Sequence, residues 1–176
     1  MTALAHTLRQ GLTQLGLELT DAQIGSLLDY LALIQKWTRV YNLTALRDPA
    51  EMLTHHLLDS LAVIKPLQQQ IGALAPAPAT GVRLLDVGSG AGLPGVVIAI
   101  CCPQITVHCV DTVAKKAAFI QQVAATLKVP NLRGVHARVE SLTEPYQVVS
   151  SRAFASLADF TSWSVAALAD GGIWMA

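Results

Sequence analysis

The segment LLDVGSGAGLPG, residues 84–95, constrains this chain more than any other. An apolar run ends in an acid, Asp86. Gly88, Gly90 and Gly92 then alternate, and a second apolar run follows up to Pro103. The pattern predicts a strand, a tight glycine turn and a helix, the opening unit of a nucleotide-binding α/β fold. The glycines allow positive φ in the turn, and without Cβ they let a ligand reach the backbone. The acid narrows the ligand. A carboxylate just before the loop suits a molecule bearing an ammonium and a sulfonium, and suits a pyrophosphate badly.

Two fingerprints overlap in this loop. Gly90, Gly92 and Gly95 spell the G-x-G-x-x-G of dinucleotide-binding folds, whereas Asp86, Gly88, Gly90 and Gly92 spell the D-x-G-x-G-x-G of methyltransferases. Register separates them. In the dinucleotide version the first glycine closes the strand, and pyrophosphate sits on the helix N-terminus. The strand here is expected to end at Val87, which makes Gly88 the closing glycine. S-adenosylmethionine is therefore the expected cofactor, with an NAD(P)-binding oxidoreductase as the alternative. That alternative needs a loop free of acid and a hydride-site residue such as Tyr with Lys, and neither is evident.

A chain of 176 residues can bury one good core with a small appendage. Its 52% apolar and 14% charged residues fit buried parallel strands between helices. No apolar run approaches the roughly 18 residues that span a bilayer. The N-terminal stretch lacks the basic-then-apolar order of a signal peptide. No membrane partner and a cytoplasmic location are expected. Cys101, Cys102 and Cys109 have no metal-binding spacing and read as buried thiols, and no metal is expected. Formal net charge is zero, so any nucleic-acid partner must be held by a local patch rather than by the field of the whole chain.

Residues 1–67 read as a helical subdomain. Leu4, Leu8, Leu12 and Leu15 share one stripe, Thr20 and Gln23 have capping-box spacing, and Asp48, Pro49 and Glu51 mark a third helix start. That third helix is expected to stop near Pro66. Residues 68–82, rich in proline, alanine and glycine, read as a linker. From 83 to 176 strands and helices alternate: RLLDV, TVHCVD, LRGVHA, QVVSSRA and GGIWMA are the expected strands. Such alternation implies a parallel sheet with right-handed crossovers, whose ligands sit at the carboxyl ends of the strands.

Candidate site residues converge on those ends. Asp111, 25 residues after Asp86 at the end of strand two, can accept from both ribose hydroxyls of a nucleoside. It can also cap the helix that follows. Val139 and Glu140, after strand three, border the expected adenine position. Ser151 and Arg152 follow strand four, where an arginine could hold a carboxylate or a phosphate. Lys115 and Lys116 sit just after strand two and are candidate phosphate contacts, expected near Arg152. His55 and His56, on an expected helix, suggest no metal site and read first as packed or capping residues; a small polar face with Asp59 is the alternative. No N-P-P-Y and no Pro-Cys nucleophile is present, and no catalytic residue is identified.

Four segments together, YNLTALRDPAEML (41–53), HHLLDSL (55–61), LLDVGSGAGLPG (84–95) and SRAFASL (151–157), resemble the bacterial 16S ribosomal RNA guanine-N7 methyltransferase family, also called glucose-inhibited division protein B. The resemblance covers the chain from about residue 20 to its end. It implies a class I S-adenosylmethionine-dependent methyltransferase, a Rossmann-like α/β sheet with an N-terminal helical extension. It implies methyl transfer to N7 of one guanine in 16S rRNA, within the small ribosomal subunit or its precursor. It implies donor contacts from Gly88, Leu93, Val139, Glu140 and Arg152, to which the site argument adds Asp86, Gly90 and Asp111. Family members continue past strand five, whereas this chain ends at Met175 and Ala176, so its C-terminal strands are expected to be missing. An inactive RNA-binding or assembly module is the rival from another class.

Overall fold

The structure is a computed structural model that describes residues 2–74, 81–152 and 154–176. Four N-terminal helical stretches come first: α1 (Ala3–Leu15), α2 (Asp21–Tyr41), α3 (Pro49–Met52) and α4 (Asp59–Leu61), with a π-helical segment, Leu53–Leu58, joining the last two. The chain itself specifies these starts. Thr20 and Gln23 form a reciprocal capping box on α2, and the Asp48 carboxylate accepts from the Ala50 and Glu51 amides with Pro49 at N1. Helix α5 (Ile64–Ala73) follows. Pro66 therefore lies inside a helix rather than ending one. It occupies the first turn, where the missing N–H has no intrahelical partner to lose. Residues 68–73, read from sequence as linker, belong to α5; residues 75–80 of that segment lie outside the described residues.

The second half alternates β1 (Arg83–Val87), α6 (Gly95–Cys101), β2 (Thr106–Asp111), α7 (Ala114–Thr126), β3 (Leu132–His136), β4 (Tyr146–Ser150), α8 (Leu157–Ser164) and β5 (Leu168–Met175). All pairings are parallel, in the order β3-β2-β1-β4-β5. The strand order reverses between β1 and β4, the place where sheets of this kind bind ligands.

The two faces of the sheet are unequal. Leu84, Val107, Cys109 and Val148 join one large core with α6, α7 and the N-terminal helices. Leu85, Val87, Val110 and Val149 face a smaller core with Tyr146, Phe160 and Ala167. The strand period of two sorts these side chains, and it puts Asp86 on the face of Leu84, under the thick helical layer. The N-terminal helices and the sheet thus share one core.

Candidate functional site

The loop after β1 takes the shape its glycines permit. Gly88, Gly90 and Gly92 all have positive φ, at 64°, 57° and 92°. The Gly88 amide donates to the Val110 carbonyl at 2.9 Å, extending the β1–β2 pairing one residue past Val87. A Cβ on Gly88 would meet nothing within 4 Å, so the backbone there is open to an incoming molecule. Gly95 does a different job. A Cβ on it would lie 2.5 Å from Cys109 Sγ and 2.8 Å from Asp86 Oδ2, so glycine is what lets α6 close on the sheet.

A cleft of about 510 Å³ opens beside this loop. Gly88, Asp111, Arg138, Val139, Glu140 and Trp163 are among its walls. Asp111 is buried. Its Oδ2 accepts from the Gly90 amide at 3.1 Å and its Oδ1 from the Val113 amide at 2.9 Å. One carboxylate therefore ties the glycine loop to the residue that opens α7; Asp111 is not itself the N-cap of that helix, which is Val113 with no side-chain cap. Asp111 lines the cleft, and a carboxylate oxygen has lone pairs for more than one donor. Phe154 and Trp163 stand edge to face, centroids 5.4 Å apart, and give the cleft an aromatic side.

Asp86 is placed differently from the sequence expectation. It is fully buried and does not line the cleft. Its Oδ2 accepts from the Gly95 amide at 2.9 Å and its Oδ1 from the Ser150 hydroxyl at 3.0 Å. Burial pushes its pKa up to about 7, against the pull of these two hydrogen bonds. Asp86 thus ties the start of α6 to the end of β4 from beneath. Leu93 is also buried, in the large core, and is not part of the cleft wall.

Arg152 stands at the other half of the carboxyl edge. Its Nη1 lies 3.3 Å from Asp59 Oδ2 and donates to the His55 carbonyl at 3.2 Å. That carbonyl belongs to the π-helical segment, a distortion often found at functional positions. A second cavity of about 210 Å³ is bordered by Asp59, Ser60, Arg152 and their neighbours and also by Met175 and Ala176, the last residues of the sequence. Lys115 and Lys116 do not border it. The Lys115 ammonium sits 5.1 Å from the centre of the Tyr41 ring, and Lys116 reaches back to Asp111 Oδ2 at 3.9 Å. The expected proximity of the lysine pair to Arg152 is replaced by contacts on the β2 side, because β1 lies between β2 and β4.

Sequence reasoning missed Tyr30. Its buried hydroxyl donates to the Ala91 carbonyl of the glycine loop at 2.6 Å. Phe154, Trp163 and the Asp59 contact were missed as well. The apolar stripe read for α2, Ile24, Leu27, Leu28, Leu31 and Ile34, passes over Tyr30, and no local signal shows that its hydroxyl reaches 61 residues along the chain.

The family model described as rRNA small subunit methyltransferase G matches residues 23–176. The chain belongs to this family. It is 72% identical over 180 residues to ribosomal RNA small subunit methyltransferase G of Albidiferax ferrireducens, covering 100% of the chain and 80% of that protein. It is 64% identical over 177 residues to the protein of the same name from Acidovorax ebreus, covering 99% of the chain and 78% of the relative. Among solved structures, coclaurine N-methyltransferase bound to N-methylheliamine and S-adenosylhomocysteine aligns with a TM-score of 0.54 at 15% identity, over 97% of the chain and 56% of that structure. YjhP of Escherichia coli aligns with a TM-score of 0.51 at 17% identity, over 82% and 54%. These two likenesses carry the fold alone, and the chain spans little more than half of either structure. The fold is that of the class I S-adenosylmethionine-dependent methyltransferases, and membership in the methyltransferase G family does not favour the oxidoreductase reading.

Proposed function

We propose that this chain transfers a methyl group from S-adenosylmethionine to N7 of one guanine in 16S rRNA, in the small ribosomal subunit or its precursor, and that it works in the cytoplasm. The observation that carries the reading is the cleft itself, whose walls include an open positive-φ glycine, a buried carboxylate and an aromatic pair. These residues fit the donor. Asp111 offers lone pairs to ribose hydroxyls. The Val139 and Glu140 backbone and the Phe154–Trp163 pair suit the edge and faces of an adenine. Gly88 and Gly90 admit the ligand to the backbone. Arg152, pinned through Nη1, has its remaining N–H groups for the donor's carboxylate. Asp86 acts through Gly95 and Ser150, and Leu93 through the packing of the loop.

When bound, the donor supplies an electrophilic methyl on a sulfonium. The protein's contribution is alignment and exclusion of water. Guanine N7 carries a free lone pair at neutral pH, so no proton has to be removed. The lack of an evident general base fits this chemistry. Lys115 and Lys116 are the proposed contacts to RNA phosphate, beside the donor cleft.

The test is transfer of labelled methyl to small ribosomal subunits that lack the modification, run beside calorimetry with S-adenosylhomocysteine and with NADH. The expected result is donor-product binding, no NADH binding, and label at one guanine N7. Binding without transfer would favour the assembly-module reading, and NADH binding would restore the oxidoreductase.

A further inference from the structure

The second cavity has no role in the donor scheme beyond Arg152. It lies across the strand-order reversal from the cleft, at the end of β4, still at the carboxyl edge where sheets of this kind bind ligands. Asp59 stands at its rim. Its side chain is 61% exposed, and among the described residues only Oδ2 is engaged, by Arg152. Ser60 lies beside it with a buried hydroxyl that has no hydrogen-bond partner among the described residues, a feature that native structures seldom leave unexplained.

The chemistry of the rim is specific. An exposed carboxylate next to a guanidinium presents acceptors beside donors. Guanine presents the complementary set: N1–H and the N2 amine are donors, and O6 beside them is an acceptor. Adenine presents the reverse order on the same edge and would set its N1 lone pair against the carboxylate. We infer that Asp59 is the specificity-determining residue for the acceptor base, accepting from N1–H and N2–H of a guanine seated in the cavity beside Arg152. This inference rests on the proposed methyl transfer to guanine. In this pose O6 falls on the Arg152 side. N7, which flanks O6, points away from the carboxylate and keeps its lone pair free. A base read in this way has to be unpaired, because its Watson–Crick edge is given to the protein.

The same pair could serve only to hold Arg152 for the donor, and the experiment separates the two roles. Wild-type protein is first assayed on small subunits lacking the modification, and the labelled guanine is mapped. No transfer by wild type would overturn the proposed function itself, and this inference with it. With transfer established, Asp59→Asn should slow it by about 10–100-fold, the worth of a bidentate base contact. Affinity for S-adenosylhomocysteine should stay within about threefold, because the His55 carbonyl still holds Arg152. Subunits reconstituted with inosine at the mapped position, which lacks the N2 amine, should be poor substrates for wild type. Asp59→Asn should show little further loss on inosine. The inference is overturned if Asp59→Asn transfers at the wild-type rate, if it loses donor-product affinity in proportion to transfer, or if inosine penalises both proteins equally.

Discussion

The two halves of the carboxyl edge are built in different ways. The β1–β2–β3 half, with its large cleft, comes almost wholly from residues 87–163, and Asp111 stitches it together over 21 residues of sequence to Gly90. The β4 half is built across the chain. Arg152 is held by Asp59 and by a carbonyl 97 residues away, on helices that precede the sheet. The proposed donor cleft is thus drawn from one continuous stretch of chain, whereas the proposed acceptor side needs the N-terminal helices docked. On the proposed reading those helices contribute to the site, through Asp59 and the His55 carbonyl.

Asp86 is the hinge between the halves, and the largest effect is expected there. Its pKa is raised from 3.8 to about 7 in the folded state. The folded state then holds a proton that the unfolded state releases between about pH 4 and pH 7. Stability should fall as pH rises through that window, by on the order of 4 kcal/mol. Asp86→Asn, which can still accept from Gly95, should flatten that slope in denaturant titrations at several pH values. An unchanged slope would show that Asp86 keeps its charge and has a partner other than these two groups.

Asp111→Ala should strike the donor half alone. The loop amide of Gly90 and the amide of Val113 lose their acceptor, and donor-product affinity should drop by about 1–3 kcal/mol in calorimetry. Tyr30→Phe probes whether the helical layer reaches the donor loop. It leaves the Ala91 carbonyl buried and unpaired, at a cost of about 1–2 kcal/mol in thermal or denaturant unfolding, with a smaller loss of donor affinity. If that variant binds the donor product as wild type does, the loop needs no support from α2. The smallest effect belongs to the lysines. Lys115→Ala with Lys116→Ala should reduce the salt slope of RNA binding by about 0.7 per lost phosphate contact. Filter binding at several salt concentrations measures this, and an unchanged slope would move the RNA surface elsewhere.

The same division explains what could be read from the sequence. β1 and β2 have the bounds expected from RLLDV and TVHCVD, and the Thr20 and Asp48 helix starts are where their caps put them. Those signals are local. The direction of Asp86 was hidden for a physical reason. In a parallel sheet both faces are apolar, so the alternation that decides which face a residue takes carries no polar mark. The end of the third helix was misplaced because proline in a first turn and proline after a last turn look alike in sequence. The π-helical segment and the Tyr30 and Asp59 contacts depend on packing between distant segments, and no spacing encodes them.

The central claim, that donor and acceptor occupy separate halves of the edge, is tested most directly by titrating S-adenosylhomocysteine into Asp111→Ala and Asp59→Asn side by side. The expected result is a loss of about 5- to 150-fold for Asp111→Ala and a change within about threefold for Asp59→Asn. Equal losses, or a larger loss at Asp59, would contradict the division.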